Sequence, residues 1–281
     1  MRSALARRGL ELAILAGLAG PLLVEWFETT SASSRLSYAL LVPLLALGLA
    51  LRARRAAGNA AWKPDRRGAT LAALAAALAG LALLAGGTSG VFTLLLLAVP
   101  LAALALCARW TGLAGLRALA PALALLFLMV PPPMPILDRI NPFLVEASGS
   151  TAVALLAPFD AGAGWAGATL TFRGWELIVA DACSGSGTFL MLGTLSAFLA
   201  ALFRLRAPGS VLLCALSLPV TLLVNGVRIA SSALVIDRFG AAAGAGLPHE
   251  LLGQAVVILG AAALVLAVER AQTLSARRAC A

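Results

Sequence analysis

Long apolar runs recur along the whole chain, at 10–24, 36–51, 69–85, 91–108, 116–130, 188–203, 210–236 and 251–268, separated by short polar or basic connections. Each approaches the ~20 residues an α-helix needs to cross a hydrocarbon core of about 30 Å, and their repetition excludes a lone signal peptide. The pattern predicts an all-α fold, a polytopic transmembrane helical bundle of about eight spans with both termini on one side. The second and fifth runs are short, and the seventh is long enough to tilt or pass the interface. After the fifth, Pro131, Pro132, Pro133 and Pro135 end the helix and open the longest connection, which extends to about Asp181. Within it, 140–156 places apolar residues at helical spacing, interrupted by Glu146, Ser148 and Ser150. That fits either an amphipathic helix at the interface or a plain packed loop helix. The next stretch, 168–180, carries β-branched and aromatic residues on both sides of Arg173-Gly174, predicting a small extracytoplasmic β-hairpin before the sixth span. No tandem repeat divides the chain, so 1–281 reads as one membrane domain, with 1–108 as scaffold helices and the part after the fifth span as the functional half.

Composition agrees with the pattern: 61% of the 281 residues are hydrophobic and only 12% are charged, which excludes an ordinary soluble domain. Charge adds orientation. Arg2, Arg7, Arg8, Arg52, Arg54, Arg55, Lys63, Arg66, Arg67, Arg109, Arg117, Arg204, Arg206, Arg270, Arg277 and Arg278 fall at the ends or in alternate loops. Only Arg35, Arg139, Arg173, Arg228 and Arg238 fall on the other side, with most of the carboxylates. Cytoplasmic loops retain Lys and Arg, so both termini are expected in the cytoplasm. The net charge of +9 is this topology signal, dispersed over several loops, and nucleic-acid binding is not expected.

Polar residues that break the apolar pattern mark the candidate chemistry. Of the four cysteines, Cys107 and Cys214 fall inside spans, Cys280 falls in the C-terminal tail, and Cys183 alone lies on the outer side. The context Asp181-Ala182-Cys183-Ser184-Gly185-Ser186-Gly187-Thr188 is a Gly-rich turn opening the sixth helix. Exposed N–H groups and the positive dipole end there favour a thiolate and a developing oxyanion; the plain alternative is a small residue in a capping turn. In the seventh span, Asn225-Gly226-Val227-Arg228 places an amide and a guanidinium three residues apart on one helix face. Arg228 lies about 27 Å along the helix from Ser210, near the outer edge, where it either serves a site or snorkels to headgroups. The single histidine, His249, precedes the eighth span on the same side and has a pKa suited to proton transfer. Cys183, Arg228 and His249 together supply a nucleophile, a cation for a tetrahedral oxyanion and a proton shuttle.

At these residues the chain resembles the exosortase and archaeosortase family of membrane-embedded cysteine transpeptidases. The resemblance rests on Ala182-Cys183-Ser184-Gly185, Asn225-Gly226-Val227-Arg228 and His249, with the proline-rich stretch 130–135 and Asn141-Pro142-Phe143-Leu144 before them. It departs at Asp181, where many members carry Glu, and at Ser186, where an aliphatic residue is common. The resemblance implies Cys183, Arg228 and His249 as catalytic residues and Asn225, Ser184 and Asp181 as substrate-binding or orienting groups, with 109–270 as the catalytic region. It further implies a partner: an exported protein with a C-terminal sorting signal containing a transmembrane helix. That signal is cleaved through a thioester at the outer face of the plasma membrane and passed to an acceptor. Two rival readings stay open: an intramembrane serine protease using Ser184 or Ser186, and a transporter with an anion site at Arg228. One His and Cys residues on opposite sides cannot supply a tetrahedral metal set, and there is no Gly-rich nucleotide loop, so no metal or cofactor is expected.

Overall fold

The computed structural model describes residues 2–58, 62–179, 185–244 and 247–280, in two compact units, Met1–Pro132 and Pro133–Ala281. The division falls inside the proline run, so residues 109–130 belong with the helices that precede them.

The first unit comprises α1 (Arg2–Ala32), a 3-10 turn (Ser37–Leu41), α2 (Val42–Ala57), α3 (Arg66–Ser89), α4 (Phe92–Leu126) and a second 3-10 turn (Phe127–Met129). α3 buries Gly68, Ala72, Ala75, Ala79, Ala82 and Gly86, while Leu71, Leu74, Leu78, Leu81 and Leu84 are exposed. Such a distribution is inside out for water and right for lipid. Hydrocarbon is as apolar as leucine, so large side chains face outward and small ones let backbones approach.

α4 is not one straight rod. Gly112 has φ +65°, and Thr93 Oγ1 donates to the Pro131 carbonyl at 3.3 Å. A straight helix would hold those residues roughly 57 Å apart, so the chain folds back at Gly112. The fourth and fifth apolar runs are therefore two segments running in opposite directions. Asp65 secures the reversal by accepting from Gly68 N–H at 2.5 Å and from Leu113 N–H at 3.0 Å. These two backbone donors hold its carboxyl below the usual carboxylate range. α1 is fixed to α4 at two levels, at the end of the returning segment and just before the reversal. Trp26 Nε1 donates to Met129 O at 3.0 Å, and Glu11 accepts from Trp110 Nε1 at 2.7 Å and pairs with Arg109 at 2.9 Å.

The second unit comprises α5 (Met134–Leu156), β1 (Gly164–Ala166), β2 (Thr169–Phe172), β3 (Trp175–Ile178), α6 (Ser186–Leu202), α7 (Ala207–Phe239), a 3-10 turn (Ala241–Gly244) and α8 (Leu247–Cys280). α5 starts earlier than the sequence periodicity indicates and lies along α7. Ser148 and Thr151 meet Gly226, while Arg173 bridges Phe159 O and Asp237, so α5 and α7 run parallel here. The strands form an antiparallel sheet in the order β1-β2-β3. Arg173 (φ +47°) and Gly174 (φ +83°) make the two-residue turn that closes the pair Phe172 and Trp175, as primed hairpin turns require. β1 has no counterpart in the sequence reading. Leu170 and Phe172 fill the sheet's inner face against Leu156, Ile229 and Ala233. α6 stops early because Arg204 adopts φ +51°, with Leu205 N–H bonded to Ala200 O and Arg204 N–H to Ala201 O, a Schellman stop.

Five segments among the described residues are long and apolar enough to cross a membrane: Ser37–Ala57, Arg66–Ser89, Phe92–Met129, Ala207–Phe239 and Gly253–Arg270. Of the eight runs read from the sequence, Phe92–Met129 contains two, and Ser186–Leu202 is apolar but shorter.

Gly112→Ala should lower the thermal midpoint in detergent by several degrees, roughly 2 kcal/mol or more, because the positive φ is lost to an L side chain and the new Cβ meets Lys63 O. The sheet should respond to acid. Asp160 accepts from Arg173 N–H and Gly162 N–H at 2.9 Å each, and these bonds hold its carboxyl below the usual range. A depressed folded-state pKa contributes stability above the unfolded value of about 3.9 and loses it as pH falls toward the folded value. Amide exchange at Arg173 and Gly162, corrected for intrinsic rates, should therefore accelerate as the pH falls from about 5 to about 3. In Asp160→Asn the faster exchange should already be present at the higher pH and no longer depend on acid.

Candidate active site

Asp181, Cys183 and Ser184 lie outside the described residues, as does the side chain of His249. On α7, Ser217, Thr221 and Asn225 succeed one another at four-residue steps and are all buried, forming a polar row on one helix face. The first two are spent locally: Ser217 Oγ donates to Cys214 O at 2.6 Å and Thr221 Oγ1 to Ser217 O at 2.7 Å. Asn225 ends the row against α6. Its Nδ2 lies 3.0 Å from the position a Cβ on Gly185 would take. Gly185 itself has φ +90° and is the N-cap of α6, so both conformation and space demand glycine at the residue two after Cys183.

Arg228, one turn further along α7, is half-buried. A Cβ on Gly253 would stand 2.7 Å from its Nε, 2.8 Å from its Cζ and 2.9 Å from its Nη2. The guanidinium thus lies flat on the backbone of α8, one helical turn after His249, whose backbone is in the first turn of that helix. Contact with a glycine on a neighbouring helix is not the geometry of snorkelling to headgroups, where the stem extends away along the surface. Asn225, Arg228, the start of α6 and the start of α8 are therefore brought together. Among the described cysteines, Cys107 and Cys214 are free thiols, and Cys214 lies roughly 16 Å from Asn225 along α7.

The structure adds residues that the sequence reading passed over. Ser148 and Thr151 of α5 form the floor opposite Gly226, where a Cβ would meet Thr151 Cγ2 at 2.6 Å and Ser148 O at 3.2 Å. Their signal in the sequence is the cluster Ser148-Gly149-Ser150-Thr151, polar and small inside an apolar helix. Trp165 of β1 covers Gly149 and donates to Glu146 Oε2 at 2.9 Å, fixing the sheet on α5 beside this floor. Gly185, Gly226 and Gly253 had no individual signal, since their role is defined by what lies across from them.

In this helical membrane protein an amide, a guanidinium and two helix starts thus converge beside a small three-stranded sheet. The chain belongs to the transmembrane exosortase family (the EpsH exosortases), whose family model matches residues 26–267. That family comprises membrane proteases and transpeptidases that process sorting signals on exported proteins. No curated protein and no solved structure matches the chain.

Gly253→Ala tests the seat of Arg228. The new methyl meets the movable end of a side chain, and Ala is preferred over Gly in a helix by about 1 kcal/mol, so the thermal midpoint should hold or rise. Processing activity, measured on a co-expressed substrate, should fall at least about 10-fold as the guanidinium is displaced.

Proposed function

We propose that this exosortase cleaves the C-terminal sorting signal of exported proteins at the outer face of the plasma membrane by cysteine chemistry. Cys183 is the nucleophile, its thiol proton passing to His249. The thiolate attacks the scissile carbonyl carbon, and the carbonyl oxygen takes up negative charge facing Arg228. Collapse of this tetrahedral species breaks the C–N bond, and His249 returns the proton to the leaving amine. The signal's membrane helix departs, and the rest of the substrate remains as a thioester on Cys183. An acceptor nucleophile or water then attacks the thioester carbonyl and gives up its proton through His249, regenerating the thiol. Asn225 orients Arg228 or the substrate, with Ser184 and Asp181 as further substrate-orienting groups.

The observation that carries this reading is the seat of Arg228 on Gly253, one turn from His249, beside Asn225 and the glycine two residues after Cys183. A cation held against a neighbouring backbone is preorganised to meet developing charge, and such groups supply much of the catalysis in acyl transfer. The serine alternative is less well supported at Ser186, which is only 2% exposed. The bilayer would align the substrate, because its signal helix and these helices share one depth, and the Ala- and Gly-rich faces admit a helix closely. Outward placement of the site rests on the basic residues gathered in the opposite set of loops.

Processing of a co-expressed exported protein bearing a candidate sorting signal should be abolished by Cys183→Ala. Arg228→Ala and His249→Ala at matched expression should reduce it by about 100-fold or more, read as absence of the mass shift. Full activity in Cys183→Ala would refute cysteine chemistry and point to Ser184 or Ser186.

A further inference from the structure

α1 is attached to α4 at Glu11 and again at Trp26, two levels about 22 Å apart along the helix. Between them lies a cavity of about 330 Å³. Ala19 and Leu22 of α1, Ala79 and Leu83 of α3, and Ala102 and Leu106 of α4 line it, and every described lining residue is alanine, glycine, leucine or valine. The gap sits within the apolar spans Arg66–Ser89 and Phe92–Met129, and such a lining offers water no partners. An apolar cavity of about 150 Å³ admits benzene, so this one has room for a chain of roughly a dozen carbons. A helix, about 10 Å across, needs several times that volume over the same length.

One end of the gap is cationic. Ala102, Leu106 and Arg109 follow one another on a single face of α4, so Arg109 stands about one turn beyond the lining. Its side chain is 62% exposed and gives Nη2 to Glu11 at 2.9 Å; among the described residues no other group claims the guanidinium. The contact of Gly68 with Ala108 O brings the exposed Arg66 and Arg67 to the same level. Of the acids there, Glu11 is paired with Arg109 and Trp110, and Asp65 accepts from Gly68 N–H and Leu113 N–H. A basic rim beside a hydrocarbon slot between transmembrane helices has the two parts that a phospholipid site needs.

We propose that the gap between α1, α3 and α4 holds one acyl chain of an anionic phospholipid, with its phosphate at Arg109. The lipid fills the space that α1 leaves between its two attachments, and this role is separate from any chemistry at Cys183.

The test titrates the full chain, purified in detergent and stripped of lipid, with dioleoyl phosphatidylglycerol, and reads lipid adducts by native mass spectrometry. Wild type should take up one molecule saturably, more tightly than dioleoyl phosphatidylcholine, and its thermal midpoint should rise with occupancy. Arg109→Gln and Glu11→Gln both break the ion pair, but only the first removes the phosphate's partner. The half-saturating concentration should therefore rise about 10-fold in Arg109→Gln and stay equal or fall in Glu11→Gln. Ala102→Phe places a ring in the gap and should raise it at least about 10-fold. Absence of a saturable adduct on wild type would overturn the proposal, as would equal tightness for the two lipids. Equal losses in the two Gln variants would also overturn it, since the ion pair would then matter only for seating α1. Unchanged uptake by folded Ala102→Phe would show that the chain lies elsewhere; if that variant does not fold, the comparison of Arg109→Gln with Glu11→Gln still decides. Inorganic phosphate at millimolar concentration should not displace the lipid, and displacement would mark a site for free phosphate instead.

Discussion

Helices surrounded by lipid gain nothing from hiding leucine, so these helices are held together by how closely their backbones approach one another. α3 shows the rule most plainly, with alanines and glycines inward and leucines outward. Several close approaches are glycines with another backbone or a polar side chain across from them: Gly68 against Gly112, Gly226 against Ser148 and Thr151, Gly253 against Arg228. At each, a single added carbon would force a neighbour to move. Once the backbones are that close, burial follows with small side chains.

The same constraint makes room for polar chemistry. An ionised guanidinium in a membrane helix is expensive and persists where it faces protein or water. Gly253 supplies such a place by removing the side chain that would otherwise occupy it, and Gly185 does the same for the Asn225 amide. The polar row on α7 ends where the helix meets α5 and the start of α6. The hydroxyls earlier in the row are bonded back to their own helix, and its last member, Asn225, is turned toward a neighbouring element.

Much of this was legible in the sequence because lipid imposes a strong signal. The apolar runs became helices, the turn at Arg173-Gly174 appeared where β-branched and aromatic residues flank it, and Asn225 and Arg228 stood out as exceptions within an apolar span. What was hidden depended on partners distant in the chain. The reversal itself was read from the break between the fourth and fifth runs, flanked by Arg109 and Arg117; hidden was how it is closed, by Asp65 and Lys63, far earlier in sequence, around one glycine. α5 starts at Met134 because Pro135, in its first turn, is compatible with a helix start, although the apolar spacing becomes regular only later. Ser148 looked like an interruption of an apolar face, and only the approach of Gly226 shows it to be part of a close helix contact.

Arg173 connects the sheet to the helices with few bonds. Its guanidinium reaches Asp237 and the Phe159 carbonyl, and its amide reaches Asp160. Its side chain is 47% exposed, so the ion pair is weak and open to screening by salt. Backbone bonds within the spans are better protected, because one broken in hydrocarbon finds no water to replace it. Opening of the molecule is therefore graded: the sheet releases at a lower free energy than any span, as a local unit of its own. Rising ionic strength would loosen the element that leads into the Cys183 segment while the membrane helices stay folded.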